Sequence, residues 1–548
     1  MNTPLARGPV RPGDAPAADV AVVGADVAAP KGTPRQTVTV GTGPLSFAQV
    51  TAVARDGAGV RLGDDAFSAL EKGRAVVQEL ASASTPTYGI STGFGALATR
   101  HIPPDLRAAL QRSLVRSHAV GSGPEVEREV VRAMMLLRLS TLATGHTGVR
   151  AETAARLAAL LSAGITPVVR EYGSLGCSGD LAPLAHCALA LMGEGEVRDA
   201  SGTLMPAAEA LAAAGLRPAE LHEKEGLALI NGTDGMLAQL VLAVTDLRRL
   251  LTTLDVAAAM SVEALLGTDR AFAPDIQALR PHPGQAASAA NLTAILAGSG
   301  VVASHRGPHC TRVQDAYSLR CSPQVHGAAR DTVAHAATVA GRELAAAVDN
   351  PAVLHGDGRV ASNGNFHGAP VAYVLDFLAI ATADVASISE RRTDRLLDTA
   401  RSHGLPAFLA DDPGVDSGYM IVQYTQAAVV AELKRLAAPA SVDSIPTSAM
   451  AEDHVSMGWG AARKLRRAVD GLTRVVAIEI LTAARALDLR APLEPAAATR
   501  AVVALLRSLG ADGPGPDRYL APEVDRAVAL VGSGAVLDAV ESVTGTLS

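Results

Sequence analysis

The sequence predicts a mainly α fold: a long central bundle of helices, short β elements near the N-terminus, and a site assembled from loops. Three observations predict it. Apolar residues recur at helical spacing over runs longer than the usual globular helix. Those runs are rich in Ala and poor in Gly and Pro, so helices pack closely at little entropic cost. Gly, Asn, Ser and Pro gather instead in a few short segments that punctuate the helices. A bundle of long helices is the natural architecture for such a chain, with the punctuating loops at its ends and breaks.

The elements follow in order. Residues 1–36 are rich in Pro, Ala and Gly and read as a disordered N-terminal extension. The stretch TVTVGTGPLSFAQVTAVA (37–54) reads as a short strand, a turn and a helix, with Ser46 placed to cap it. VEREVVRAMMLLRLSTLA and AETAARLAALLSAG carry apolar residues at helical spacing, the second stopping at Gly164. Three long apolar segments follow, at 236–266, 331–348 and 370–392, and they form the expected bundle. No fixed-period repeat is found.

Composition excludes several function classes. The 548 residues are 48% hydrophobic, enough for a large core. The net charge of -7 is spread along the chain without a basic stripe, and only 3% of residues are aromatic, so no nucleic-acid partner is expected. The four cysteines, at 177, 187, 310 and 321, make neither a disulfide framework nor a CxxC metal pair. No metal is expected. The N-terminus lacks a signal peptide's apolar core, and no stretch reads as long and charge-free enough to span a bilayer. A soluble cytoplasmic protein with reduced thiols and no membrane partner is the expectation.

The most unusual segment is GSLGCSGDLAPLAH (173–186). Its second half reads as a helix start, with Asp180 as the N-cap, Pro183 in the first turn and an apolar run to Met192. Cys177-Ser178-Gly179 then sits at a helix N-terminus, where partial positive charge favours developing negative charge. On the residues alone, a glycine-rich connecting turn fits. So does a Cys177 thiolate beside a histidine, although no cysteine-protease signature surrounds it.

A third reading comes from resemblance. GSLGCSGDLAPLAH is similar to the signature of the histidine and phenylalanine ammonia-lyase family, whose Ala-Ser-Gly tripeptide cyclises to 4-methylideneimidazol-5-one (MIO). The Gly nitrogen attacks the first residue's carbonyl carbon. Loss of two waters leaves an exocyclic methylene, an electrophile that no ordinary side chain provides. Cys177 stands here where Ala is usual, outside the ring, while Ser178 and Gly179 are intact. The resemblance implies an MIO formed from these three residues, with no metal or dissociable cofactor.

Five further blocks extend the resemblance over about residues 40–490. TYGISTGFG implies Tyr88 as a catalytic tyrosine, a base only if its pKa is lowered. KEGLALINGTDG implies Asn231 as a ligand of the substrate carboxylate or the prosthetic ring. In VQDAYSLRCSPQ, Gln314, Tyr317 and Arg320 share much of one face if helical. There the resemblance makes Arg320 the carboxylate clamp and Tyr317 an assistant in proton transfer. NGNFHGAP places Phe366, and SVDSIPTSAMAEDHVSM places Glu452, followed by His454. Taken singly, each is also an ordinary turn, core aromatic or solvated charge. The implied fold is that of the ammonia-lyase/fumarase-like superfamily, a homotetramer with sites drawing loops from more than one subunit. The implied domains are 37–240 with the cofactor-forming loop, 241–490 as the central bundle and 491–548 as a C-terminal helical segment.

The substrate expectation is L-histidine, converted to trans-urocanate in histidine catabolism. Ser117-His118, the EDHVSM run and SLRCSPQVHG all resemble the histidine branch. An imidazole needs polar partners for two ring nitrogens, and His118 and Glu452 are of the right type. Against this, Met450 and Ala451 stand where relatives often carry Asn and Gln, which enlarges the expected ring pocket. Tyrosine, phenylalanine or substituted-aryl lyase activity, a 2,3-aminomutase, and a non-catalytic helical assembly protein remain the alternatives.

Overall fold

The computed structural model describes residues 36–548, apart from 84–85, 94, 96–97, 308–309 and 311. The expected N-terminal extension, except Gln36, lies outside the described residues, as does Phe94 of the TYGISTGFG loop. Gln36–Ser548 forms one compact unit.

The described chain opens on strand β1 (Thr37–Val40), paired in parallel with β2 (Gly59–Leu62), and between them lies helix α1 (Phe47–Ala54). Ser46 caps α1 as expected: its hydroxyl accepts from Gln49 N, and the Gln49 side chain accepts from Ser46 N. Then come α2 (Asp64–Ser82), α3 (Pro104–His118), α4 (Arg128–Ala143), α5 (Ala151–Ser162) and α6 (Leu181–Leu191). Helix α5 ends where Gly164 takes a left-handed φ of 75°, the conformation that stops a helix. Three small antiparallel sheets lie outside the N-terminal pair, so β structure extends beyond the N-terminus but stays at two or three strands a sheet.

A short helix α7 (Glu225–Ile230) leads into α8 (Asp234–Ala264), which is followed by α9 (Pro283–Ile295), α10 (Ser322–Leu344), α11 (Ala369–Leu397), α12 (Met420–Leu436) and α13 (Gly458–Asp488). Helices α8, α10, α11, α12 and α13 pack on one another as the central bundle. The C-terminal helices α14 (Ala497–Ser508), α15 (Ala521–Ser533) and α16 (Ala535–Thr544) close on its side. The expected boundary at 240/241 falls inside α8.

Helix α8 also corrects the membrane expectation. The run Glu225–Ala264 and helix α11 are each long and apolar enough to cross a bilayer by length and composition. The apolar window of the first is wholly buried inside the protein, because α8 is surrounded by other helices and needs no polar face.

The bundle core is not purely apolar. Glu479 on α13 is fully buried and takes a two-pronged ion pair from Arg392 on α11, at 2.5 and 2.9 Å. It also accepts the hydroxyls of Ser261 (2.8 Å) and Ser389 (2.6 Å). Asp255 on α8 is likewise buried and holds His326, Arg330, Ser288 and Asn291. These networks join the bundle helices at fixed register, since each buried charge is tolerable only with its partners in place.

Candidate active site

The Gly-rich loop is clamped between the starts of α8 and α13. Ser456 Oγ donates to Gly176 O at 2.8 Å, and Met457 N donates to Leu175 O at 2.8 Å. On the other side Asp180 N donates to Gly232 O at 2.7 Å. Gly179 has φ +81°, and a Cβ there would lie 2.1 Å from Gly232 O, so only glycine is accommodated.

Asp180 stands at the N-cap position of α6, but its carboxylate does not cap that helix. It accepts from Met236 N in the first turn of α8 (2.8 Å) and from Ser174 Oγ (2.9 Å). The cap expected within the segment is thus given to a helix that starts over fifty residues later. Burial pushes the Asp180 carboxyl up to about 7, against the pull of the hydrogen bonds it accepts.

Ser178 Oγ donates to Glu452 Oε1 at 2.9 Å, and Thr447 Oγ1 donates to the other oxygen of Glu452 at 3.1 Å. Burial, with the Glu452 carboxylate second, pushes the Cys177 thiol up to about 12. That removes the thiolate reading: half-buried and next to a carboxylate, the thiol keeps its proton. His186, the histidine of that motif, is engaged elsewhere, accepting from Gly121 N at 3.1 Å.

A cavity of about 540 Å³ opens over the loop. Five of the predicted residues line it: Tyr88, His118, Ser178, Asn231 and Glu452. The Tyr88 hydroxyl accepts from Gly95 N at 3.1 Å. His118, in the last turn of α3, sets Nδ1 2.8 Å from the carbonyl of Leu114. A carbonyl only accepts, so Nδ1 carries the proton and Nε2 is the ring's acceptor. Asn231 ends α7; its Nδ2 donates to Asn350 O at 2.7 Å, and its Oδ1 is buried without a protein partner. Leu110, Leu114, Leu181, Leu227 and Ile230 supply an apolar wall.

The remaining predicted residues are not brought to this cavity. Gln314 lies on the surface of a separate 200 Å³ pocket. The helical turn of its block runs only Tyr317–Arg320, so Gln314 precedes it and does not share its face. Tyr317 is exposed, with the Arg320 guanidinium 4.7 Å from its ring centre. Arg320 Nε donates to Asp315 O at 2.9 Å. Phe366 is half-buried in the loop before α11. Met450 and Ala451 are exposed and do not line the cavity either, so an amide is not missing from this chain's own pocket wall. His454 stacks on His367 at 5.6 Å, tying the Glu452 segment to the Phe366 loop.

Two supports escaped the sequence reading. Asn350 lines the cavity and holds Asn231; its only local signal was an Asn-Pro turn dipeptide. Lys224, which opens the KEGLALINGTDG block, is completely buried, donating to Asp349 at 2.5 Å and to Thr147 O at 2.9 Å. It anchors the start of α7 beside the residue that precedes Asn350.

A family model described as "Aromatic amino acid lyase" matches residues 45–508. The chain is 65% identical to a histidine ammonia-lyase of Streptomyces coelicolor over 93% of its own length and 99% of the relative's. It is 49% identical to that of Gloeobacter violaceus, covering 92% of this chain and 97% of the other. Among solved structures, the tyrosine aminomutase of Streptomyces globisporus superposes with a TM-score of 0.88 at 37% identity, covering 93% and 99% of the two chains. The histidine ammonia-lyase of Trypanosoma cruzi gives 0.85 at 38%, covering 92% and 95%.

Proposed function

The chain belongs to the aromatic amino acid lyase family, and from that premise we propose that it eliminates ammonia from L-histidine to give trans-urocanate. The observation that carries the reading is the convergence of Tyr88, His118, Ser178, Asn231 and Glu452, from distant segments, on one cavity. Its volume of about 540 Å³ suits a small molecule.

The residues present fit an MIO. Gly179 occupies a position where a side chain would strike Gly232, and Ser178 presents its hydroxyl to a carboxylate in a loop clamped on both sides. Cys177, Ser178 and Gly179 would form the group. What it supplies is an electrophilic methylidene carbon.

The chain's own side chains do the rest. Tyr88 takes the β-proton, the Cα–N bond breaks, the double bond forms and ammonia leaves. Asn231 has a second N–H for the substrate carboxylate, and its unpartnered Oδ1 suits an ammonium donor. Nε2 of His118 accepts from the substrate imidazole, while the leucines and Ile230 exclude water. A phenyl ring leaves Nε2 unpaired, at a cost of about 1–3 kcal/mol. The four cysteines are free, in keeping with a cytoplasmic enzyme.

The test is turnover of L-histidine, L-tyrosine and L-phenylalanine, followed by enoate absorbance and product analysis. Urocanate from L-histidine is the expected result, and faster turnover of an aryl substrate would reject the substrate assignment. Ser178→Ala should abolish activity, and an intact mass two waters short is the expected mark of the cyclised wild-type chain. Similarity to an aminomutase structure favours one second reading, and accumulation of a β-amino acid would establish it.

A further inference from the structure

A second cavity, of about 560 Å³, shares no lining residue with the catalytic one and is walled by cationic and imidazole groups. Arg74 and Arg107 form its floor, 7% and 4% exposed, and His101 and His222 stand exposed at its rim. Glu223 is the acidic group in its lining and is already taken, by Arg74 Nη2 at 3.0 Å. Nε of Arg74 is buried without a partner.

Arg107 is the unusual member. Its Nε donates to Ile102 O at 3.2 Å and its Nη1 to Ala81 O at 2.6 Å. Among the described residues it makes no ion pair. A guanidinium withdrawn from water without a counter-ion is unfavourable, and one facing an open cavity invites an anion. The cavity also lies at the N-terminus of the fifteen-residue helix α3, whose partial positive charge adds to the same field.

We propose that this pocket binds a small oxyanion, a phosphate or carboxylate group held by Arg107 with His101 and His222. Its walls lead to three elements of the catalytic cavity. Helix α3 runs from Arg107 to His118. Ile102, held by Arg107, donates to Ser91 O at 2.9 Å, and His101 pairs with Thr92, in the loop that carries Tyr88. Glu223, whose carbonyl also accepts from Arg74, directly precedes Lys224 and the helix that ends at Asn231. An anion seated here fastens all three at one point.

The test is calorimetric titration of the full chain with inorganic phosphate and, in a separate arm, succinate, at constant ionic strength. Saturable binding of either one supports the site, and the arm that binds tells phosphate from carboxylate. His101→Ala/His222→Ala should weaken binding about tenfold or more, as loss of charge-assisted hydrogen bonds predicts. Arg107→Gln should abolish it. Because Arg107 also braces two backbone carbonyls, each variant is melted in parallel, and the exposed histidine pair decides if Arg107→Gln does not fold. Absence of saturable binding to the unaltered protein overturns the proposal. So does affinity unchanged by the histidine pair, which would place the anion elsewhere.

Discussion

Asp180 titrates where a surface aspartate would already be charged, because it is wholly buried between the starts of α6 and α8. Its usual value of 3.8 in the unfolded chain becomes about 7 in the fold. Between those values the unfolded chain has lost a proton that the fold keeps. Stability tied to Asp180 is therefore full below the lower value and falls as pH rises through the upper one. Asp180→Asn removes the titration, so the difference in unfolding free energy between the two proteins should change steadily from about pH 4 to pH 7 and flatten above it, as read by urea melts across that range. A constant difference would mean that another group sets the trend. At this scale the sequence told which residue types were present in the Gly-rich loop, and it placed Asp180 correctly at a helix N-cap position. It did not tell that the carboxylate serves α8 rather than α6, because that contact spans 56 residues.

Among the elements, α8, α10 and α11 were legible because their apolar, Ala-rich runs are continuous. Helices α12 and α13 were not. Helix α13 carries Arg463, Arg466 and Arg467 in its first turns, which look solvated in the sequence. Folded, they pair with Glu127, Glu129, Asp246 and Glu171 on other elements. The same helix carries Glu479, whose partner Arg392 is fully buried. Glu479→Gln should strand that guanidinium and cost about 3–5 kcal/mol in denaturant melts, the usual penalty for breaking a buried pair. A loss under about 1 kcal/mol would show that water or Asp255's network compensates. The fold thus spends polar groups on register inside a bundle whose periodicity alone leaves helix sliding open.

At the scale of the molecule, Tyr317, Arg320, Gln314 and Phe366 stand outside the cavity that gathers the other predicted residues. Apolar side chains also stay exposed on the bundle, with Tyr373, Phe377 and Ile380 on α11 facing outward. Both features fit a homotetramer in which a neighbouring chain's Arg320 block completes the site. Light scattering should then give a mass about four times the chain's 55.8 kDa. Mixing two inactive variants, Tyr88→Phe and Arg320→Ala, through unfolding and reassembly should restore part of the activity, since some hybrid sites receive both intact residues. No recovery in hybrids shown to form would place Tyr88 and Arg320 in the same chain's site.

By itself, the sequence determined the helical class, the capped start of α1, the stop at Gly164 and the Gly-rich loop whose residue types permit cyclisation. Those features rest on forces that act within a turn or two of chain, and such forces are written in neighbouring letters. Only the tertiary structure decided that Ser178 meets Glu452 across 274 residues, that Asp180 caps a foreign helix, and that the Arg320 block does not line this chain's cavity. A hydrogen bond is specified to a few tenths of an ångström, and local periodicity fixes no distance between segments so far apart. The packing of the bundle sets those distances, and with them which of the predicted residues share a site.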